Sequence, residues 1–456
     1  MTYRLKDGIF FVRGALRGAI LDTVSGNVFS INESACDVIT YQSYDEGFWE
    51  KLMELGLAEF GEPISKELPS LSVQEAVAKL KFVWFEIVTH NCNERCIHCY
   101  ANSMPKNYRA DLSQFNELGS NNLQNDRMSY QDWIRVISES YELGCRNCQF
   151  IGGEPFLYRG EKGETVLDLA EYAAQLGYEF IEIYTNGTLL TDKKIKQIKK
   201  LGLHIATSLY SNQSHIHDLI TQTPGSHKLT INAIRKLKEA DVPTRVEIIL
   251  MEQNQKTINE TLDFRNNLGV SGKKPDIIRP QGRAIDDSFA PDFKYYLQYA
   301  YKLNPNFTVD KKKLAHYTTA HPCLLGKITI TEDGDVFPCI FSRDQLLGNV
   351  LESPDLLSII QDSTTQTVWL ITKDNVQICK DCEYRYVCFD CRPLAASASG
   401  DNADFHSAPP PYCTYNPYTG EWAAGTWKTS ESGEPYYDRN FKVMLEKLSP
   451  LQSTEH

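Results

Sequence analysis

Three closely spaced cysteines near residue 95 have an arrangement that suits an iron-sulfur cluster. Cys92, Cys96 and Cys99 follow the pattern Cys-x3-Cys-x2-Cys in the segment CNERCIHCY. Three thiolates can bind three irons of a cubane 4Fe-4S cluster and leave the fourth iron open to another ligand. A structural zinc site would need a fourth protein ligand, and we expect the neighbouring His98 to hydrogen-bond near the cluster instead. The motif therefore predicts a cluster with one open coordination site.

Further motifs follow these cysteines along the chain, each at the end of an apolar run. They are Gly152-Gly153-Glu154-Pro155, Thr185-Asn186-Gly187, Ser208, and the apolar segment from Val246 to Met251 that includes Ile248. Glycines allow the backbone to approach a bound molecule closely. Together with the three cysteines after an apolar strand, this order of motifs resembles the radical S-adenosylmethionine (SAM) superfamily.

The resemblance implies that the open iron binds the amino and carboxylate groups of SAM. It assigns the amino group to Gly152, Gly153, Glu154 and Pro155, the ribose to Thr185 and Asn186, the carboxylate to Ser208, and the surroundings of adenine to Tyr100 and Ile248. The family often continues after the serine with Leu-Asp, whereas this chain has Leu209-Tyr210, so no role of that aspartate is carried over. For Ile248, ordinary packing is the favoured alternative, because β-branched residues commonly fill barrel strands.

A second group of cysteines lies between residues 323 and 413. Its spacing is Cys-x10-Gly-x4-Cys, then Cys-x2-Cys-x5-Cys-x2-Cys, then a last cysteine; its members are Cys323, Cys339, Cys379, Cys382, Cys388, Cys391 and Cys413. This order resembles the SPASM domain, which carries auxiliary iron-sulfur clusters. The resemblance implies two such clusters, expected to be of the 4Fe-4S type. One would be fully ligated by Cys379, Cys382, Cys388 and Cys413, and the other would be bound by Cys323, Cys339 and Cys391.

Two alternatives for this second group stay open. The interval before Cys391 is two residues where the family has three, so Asp390 is a candidate oxygen ligand. A three-cysteine site also leaves a vacancy that a local group or the substrate could fill. A zinc ribbon made from the two Cys-x2-Cys pairs is less favoured, because seven cysteines do not fit a single four-coordinate zinc ion.

The elements that must position these residues alternate between strand and helix from residue 82 onwards. Strands are predicted near 82–90, 148–153, 180–186, 204–210, 244–251 and 275–280, with helices such as 164–176, 191–201 and 226–240 between them. Repeated strand-helix units indicate a parallel sheet with reactive groups at the carboxyl ends of its strands. We therefore expect an α/β fold with a partial (β/α)6 barrel of the TIM type over residues 80–290.

The remaining segments are predicted to form smaller parts. Residues 1–65 should form a small α+β module with strands at 3–12, 16–22 and 26–31, a helix capped by Asn32-Glu33-Ser34 and another helix at 47–58. Its layout resembles, in truncated form, the recognition elements that hold leader peptides of ribosomally made natural products; a simple capping subdomain is the alternative. Residues 101–130 read as a long polar loop. Residues 320–420 should form a loop-rich iron-sulfur domain, and 421–456 a tail with a helix at 440–448.

Composition limits the partners and the compartment. The net charge of −12 gives no basic face for nucleic acid or anionic lipid. Charged residues in the first twenty positions leave no signal peptide, and we find no run of about 18 apolar residues. We therefore expect a cytoplasmic protein whose thirteen cysteines bind metal or pack, since cytosolic thiols stay reduced. Cys36, Cys145 and Cys148 are predicted to be buried core residues.

The function implied by the resemblance is peptide maturation. SPASM proteins of this type commonly act on ribosomally made precursor peptides, so we expect removal of hydrogen from a residue of such a peptide, giving a cross-link or a backbone rearrangement with excision. Expected partners are the precursor peptide, a reductant such as flavodoxin or ferredoxin, and, as a further candidate, a separate leader-binding protein. The alternatives are oxidation of a Ser or Cys in a partner enzyme, as in sulfatase-maturing relatives, and a non-catalytic iron-sulfur electron carrier.

The cluster motif makes a direct prediction. Replacement of one ligand, Cys92→Ala, should abolish the reductive cleavage of SAM, because the remaining two thiolates cannot hold the cluster in place. The measurement is 5′-deoxyadenosine release by the reduced, reconstituted protein. Full turnover in the variant would contradict the mechanism.

Overall fold

The computed structural model describes residues 2–41, 45–62, 67–72, 75–76, 79–107, 127–285, 287–399 and 404–448. The chain divides into two compact units. The first comprises residues 1–76, 301–325 and 367–456, and the second comprises residues 77–300 and 326–366. Most of the predicted polar loop, residues 108–126, lies outside the described residues.

The amino-terminal segment of the first unit combines short strands with two helices. The strands are β1 (Thr2–Leu5), β2 (Ile9–Arg13), β3 (Gly18–Asp22), β4 (Val28–Ile31) and β5 (Ala58–Gly61), and the helices are α1 (Glu33–Tyr41) and α2 (Glu46–Glu54). β2, β3 and β4 form an antiparallel sheet, and β1 pairs with β5. The predicted strand 3–12 is split into β1 and β2, because Gly8 turns the chain with a φ of 81°.

A mainly parallel sheet forms the centre of the second unit. Its strands and the adjoining pair are β6 (Phe82–Val88), β7 (Asn147–Gly152), β8 (Phe180–Tyr184), β9 (His204–Ser208), β10 (Thr244–Glu247), β11 (Ile249–Leu250), β12 (Asp276–Ile277), β13 (Lys327–Thr331), β14 (Asp335–Phe337) and β15 (Gly348–Asn349). The order in the large sheet is β10-β9-β8-β7-β6-β13-β14-β15, and β11 pairs with β12 in parallel. The strands from β6 to β10 and β13 are parallel, whereas β14 and β15 are antiparallel.

Helices alternate with these strands along the chain. They are α3 (Tyr130–Glu142), α4 (Val166–Leu176), α5 (Asp192–Lys200), α6 (Ser214–Thr221), α7 (Ser226–Glu239), α8 (Ile258–Asn267) and α9 (Phe293–Tyr299). Phe85 and Phe150 of neighbouring strands pack together with ring centroids 5.5 Å apart, and Trp133 of α3 meets Phe85 edge-on at 6.2 Å. The alternate residues of each strand therefore face the helices and build the apolar core.

The predicted order of strands and helices is confirmed in this unit. The predicted strand 244–251 is divided into β10 and β11, and the sixth strand, predicted at 275–280, is reduced to two residues in β12. Cys145 and Cys148 are fully buried, as expected for core residues. The structure is an α/β fold with a partial barrel, as predicted.

The remaining elements follow residue 300. They are α10 (Lys311–Thr319), α11 (Leu356–Gln361), α12 (Ser363–Trp369), α13 (Arg392–Ala398), β16 (Thr426–Thr429), β17 (Pro435–Asp438) and α14 (Asn440–Leu448), the last matching the predicted tail helix. Within the first unit, Phe10 and Leu21 share a core with Val309, Tyr386 and Val387. The amino-terminal sheet and the cysteine-bearing segments near residue 385 therefore form one hydrophobic core. Among the described residues, no helix has the length and apolar character needed to cross a membrane.

The packing of Trp133 yields a stability prediction. Trp133 is fully buried against the strand aromatics, so Trp133→Ala should lower the free energy of unfolding by about 3–5 kcal/mol through lost contacts and a cavity. Urea denaturation of the apoprotein measures the change. The control is Leu229→Ala, where about half of the side chain is already exposed and little loss is expected. An equal loss in both variants would contradict this account of the core.

Candidate functional site

The three-cysteine loop begins directly after β6 and is fixed from several sides. The amide of Ile97 donates to the carbonyl of Ile220 at 2.9 Å, and the amide of Arg95 donates to the carbonyl of Thr221 at 3.1 Å. These two hydrogen bonds connect the loop to the end of α6. The guanidinium of Arg283 donates through Nε to the Cys96 carbonyl at 2.8 Å and through Nη2 to the Ser103 carbonyl at 2.8 Å. These backbone contacts hold the loop in shape without using the cysteine sulfurs.

The glycine pair Gly152-Gly153 lies against the base of this loop. A Cβ atom at Gly152 would collide with the Val88 carbonyl, and one at Gly153 would collide with the Asn91 carbonyl. The Gly153 amide donates to Val88 O, and the Glu154 amide donates to Asn91 O at 3.0 Å. Only residues without side chains allow this close approach, so the two glycines position the end of β7 beside the cysteines.

Glu154 joins the ends of two neighbouring strands through a fully buried carboxylate. It accepts from the Phe156 amide at 3.0 Å, from the Asn186 amide at 2.9 Å, and from Thr185 Oγ1 at 2.8 and 2.9 Å. Pro155, also buried, starts the short turn that follows. Both carboxylate oxygens are thus engaged by protein donors, and the sequence-based role of Glu154 toward an ammonium group stays a prediction.

Asn186 links the end of β8 to the cysteine loop. Its Nδ2 donates to Asn93 Oδ1 at 2.9 Å and lies 3.9 Å from Cys92 Sγ. Its Oδ1 accepts from the amide and hydroxyl of Thr188 at 3.0 and 2.6 Å. Asn186, which follows β8, therefore lies beside Cys92, which follows β6.

The other predicted SAM contacts lie around the same edge of the sheet. Ser208 ends β9, and its hydroxyl lies 3.0 Å from the Tyr184 hydroxyl. Ile248 is buried in an apolar cluster with Leu250. This position agrees both with ordinary core packing and with a contact to the adenine of SAM. The buried Tyr100 hydroxyl has no hydrogen-bond partner among the described residues, and its ring meets Phe341 edge-on at 5.2 Å.

Burial dominates the electrostatics of the loop. It raises the pKa of the Cys92 and Cys96 thiols, and nearby carboxylates raise both further. Burial, together with the charge of Glu154, also raises the pKa of Glu94 to about 8. His98 has its pKa lowered to about 3, because the ring is buried and Arg283 is close. Any metal that binds here must displace the thiol protons, so loading releases protons.

These observations fit a cluster with a bound SAM molecule. The donor set is three thiols on one loop, which would leave one iron of a cubane cluster without a protein ligand. Glu94 Oε1, Arg283 Nη1 and the Tyr100 hydroxyl are buried there without a hydrogen-bond partner in the described part of the chain. Buried polar atoms normally have partners, so these groups are available to a ligand.

The first unit brings four of the auxiliary cysteines together. Cys379, Cys382, Cys388 and Cys413 line one cavity with about 460 Å³ of space free of protein atoms, including its mouth. Burial raises the pKa of the Cys379, Cys382 and Cys413 thiols, for Cys413 to about 12. The resemblance assigns these four residues to one cluster, and this ligand set stays a prediction; the structure places all four around one cavity.

The second auxiliary set is divided between the units. Cys339 lies after β14 in the second unit, whereas Cys323 and Cys391 belong to the first. The Cys323 amide donates to His321 Nδ1 at 3.2 Å, and Cys391 is the N-cap residue directly before α13. The alternative ligand Asp390 is fully buried and accepts hydrogen bonds from His321, Lys373 and Arg392, so its carboxylate already has three protein partners.

Several residues around these sites carried no sequence signal that singled them out. Lys302 and Lys373 approach the sulfurs of Cys388 and Cys379, and Arg283 supports the first loop. The chain has 47 lysines and arginines, so residue type alone cannot distinguish a basic residue beside a cysteine from one at the surface.

Comparison with known protein families agrees with this geometry. Residues 87–265 match the radical SAM superfamily, and residues 323–383 match the SPASM iron-sulfur cluster-binding domain. The first match covers the three-cysteine loop and the strands up to β11, and the second begins at Cys323.

Two curated relatives illustrate the range of similar proteins. The AdoMet-dependent heme synthase of Methanosarcina barkeri (strain Fusaro / DSM 804) is 25% identical over 363 residues, which covers 72% of this chain and 95% of the relative. The antilisterial bacteriocin subtilosin biosynthesis protein AlbA of Bacillus subtilis (strain 168) is 24% identical over 301 residues, which covers 62% of this chain and 60% of AlbA.

A solved structure has the same fold. Hexahistidine-tagged anSMEcpe with bound AdoMet superposes with a TM-score of 0.50 at 15% sequence identity, covering 74% of this chain and 93% of the other. At this level of identity the likeness concerns the fold alone.

The glycine contact predicts a binding defect. Gly153→Ala should weaken SAM binding at least tenfold, about 1.4 kcal/mol, because the added Cβ forces the strand end away from the Asn91 carbonyl. Equilibrium dialysis of the reconstituted protein measures the dissociation constant. Gly47→Ala serves as the control, since its Cβ would have no neighbour closer than 3.8 Å. Unchanged binding by the Gly153 variant would show that this close approach does not shape the site.

Proposed function

The chain is a radical SAM enzyme with an iron-sulfur cluster-binding SPASM domain, and we propose that it modifies a ribosomally made precursor peptide. In this proposal the enzyme removes hydrogen from one residue of the peptide and forms a cross-link or a rearranged backbone. Cys92, Cys96 and Cys99 would hold the SAM-binding cluster. When bound, the cluster and SAM together supply a radical able to take hydrogen from an unactivated carbon.

The amino-terminal sheet is the observation that carries the choice of a peptide. Within the described residues, β4 pairs only with β3 and is an edge of the three-stranded sheet. An exposed sheet edge can bind an extended peptide by adding it as a further strand. The similarity to AlbA, a bacteriocin biosynthesis protein, favours the same substrate class. We therefore assign β4 as the candidate docking edge for the leader part of the precursor.

The polar inner face of the barrel also favours a peptide. Val246 faces the helix side, packed with Ile231 and Ile234, so the alternate residues Arg245 and Glu247 face the other way. Arg245 donates to both carboxylate oxygens of Glu182 at 2.8 Å. Barrel interiors are usually filled by branched apolar side chains. The charged groups here suit a substrate rich in amides.

The residues of this chain have distinct tasks in the proposed reaction. Glu154 and Asn186 hold two strand ends beside Cys92 and so orient the cofactor site. Gly152 and Gly153 let the backbone close over the base of the loop. A reaction that generates a reactive radical requires the target carbon in near contact and water excluded.

A reductant such as flavodoxin or ferredoxin would supply electrons, and a separate leader-binding protein is a further candidate partner.

A second candidate is modification of a tetrapyrrole. The match to the heme synthase relative covers 72% of this chain and nearly all of the relative's own length, so the fold is compatible with that chemistry.

Oxidation of a Ser or Cys in a partner enzyme is a third candidate, and a non-catalytic electron carrier is excluded because the chain is a radical SAM enzyme. The substrate must therefore be settled by product analysis.

The decisive experiment is co-expression with each short peptide that genome sequencing finds encoded next to the gene, under low oxygen and with an iron-sulfur assembly system. The peptide should lose two hydrogens, or a larger fragment if a residue is excised, and high-resolution mass spectrometry measures this change. The peptide co-expressed with Cys92→Ala should keep its original mass. An unmodified peptide from an enzyme that still forms 5′-deoxyadenosine would contradict the proposal, and conversion of an added iron porphyrin would favour the tetrapyrrole alternative.

A further inference from the structure

The cavity of the four auxiliary cysteines has an unusual charge. Among the described residues that line it, the charged side chains are Lys302, Lys373 and Arg385, and none is a carboxylate. Cations are rarely buried without a partner. The ammonium groups of the two lysines lie next to cysteine sulfurs.

Lys302 contacts Cys388 directly. Its Nζ donates to the Cys388 sulfur at 3.2 Å and also to the Phe389 carbonyl. Its backbone is held in place because its amide donates to the Tyr412 carbonyl at 3.0 Å and its carbonyl accepts from the Thr414 hydroxyl at 2.5 Å. These contacts flank Cys413, so the lysine is fixed beside two of the four cysteines.

Lys373 approaches a third cysteine from the other side. Its ammonium lies 3.6 Å from Cys379 Sγ and donates to Asp390 at 2.6 Å, and only 6% of its side chain is exposed. Asp390 also accepts from Arg392 at 2.5 Å and from His321 at 2.9 Å. This network holds Lys373 in place, and the two cations beside one carboxylate leave an excess of positive charge.

Aromatic rings form much of the cavity wall. Phe307 and Tyr384 stack with centroids 4.9 Å apart, and Tyr415 packs on Trp422 at 4.7 Å. All four rings line the cavity. Where water is excluded, a fixed charge acts more strongly on its neighbours than it does at the surface.

We propose that Lys302 and Lys373 raise the reduction potential of the iron-sulfur cluster bound by Cys379, Cys382, Cys388 and Cys413. Reduction adds one electron, and so one negative charge, to the cluster and its thiolates. Hydrogen bonds to the sulfurs and nearby positive charge stabilise that reduced form. The inference rests on the proposed ligand set, and it makes this cluster a better electron acceptor than it would be without the two lysines.

The test is an anaerobic redox titration of the full-length protein, followed by electron paramagnetic resonance with dithionite as the reductant. All proteins carry Cys92→Ala, Cys96→Ala and Cys99→Ala, so only auxiliary clusters contribute, and loss of a signal in Cys382→Ala identifies the relevant one. Lys302→Met and Lys373→Met should each shift its midpoint to more negative potential at unchanged iron content. Lys302→Arg, which keeps the charge, should restore most of the midpoint.

The control is Lys312→Met, an exposed lysine of the same unit, which should leave the midpoint unchanged. If Lys373→Met fails to fold because Asp390 loses a partner, the double variant Lys373→Met/Asp390→Asn takes its place. An unchanged midpoint in both lysine variants would overturn the inference, and so would a Cys382→Ala protein that keeps every signal of its parent. An unmodified peptide with the lysines intact would instead contradict the proposed function and leave the potentials as predicted.

Discussion

The candidate SAM site depends on one buried carboxylate. Glu154 has no exposed surface and receives hydrogen bonds from the end of its own strand and from Thr185 and Asn186 at the end of the next. Leaving these donors buried and unpaired would cost about 1–3 kcal/mol each, so the carboxylate fixes the two strand ends together. Asn186 then reaches the Cys92 sulfur, and Gly153 passes beneath Asn91. The position of the cysteine loop follows from these contacts.

The first unit also has a buried carboxylate near its cysteines, but the groups that bind this carboxylate are positively charged. There Asp390 is one of the buried carboxylates, and its partners are Lys373, Arg392 and His321, so cations outnumber it locally. The hydrogen-bond donors to Glu154 are neutral amides and a hydroxyl, and Lys194 acts on it by charge without a hydrogen bond. The two cysteine sites of one chain are thus placed in different electrostatic surroundings. This difference agrees with the proposal that the second site has the higher reduction potential.

Much of the fold could be predicted because strands and helices alternate with clear apolar periodicity. The motifs at residues 152–155 and 185–187 were also located correctly at strand ends, since glycines and polar residues interrupt apolar runs there. Sequence reasoning missed the lysines beside Cys379 and Cys388, because their role depends on contacts between residues far apart in the chain. It also did not foresee the protein donors that already contact the Glu154 and Asp390 carboxylates, because these donors come from residues distant in the chain; the predicted ligand roles of both residues stay predictions.

The central claim is that the cluster of Cys92, Cys96 and Cys99 has an open iron that SAM chelates. Electron-nuclear double resonance on the reduced protein, frozen before turnover with SAM labelled by nitrogen-15 at the amino group, tests it directly. The account predicts a hyperfine coupling between the cluster and the labelled nitrogen, which disappears in Cys92→Ala. A fully loaded cluster with no such coupling would contradict it.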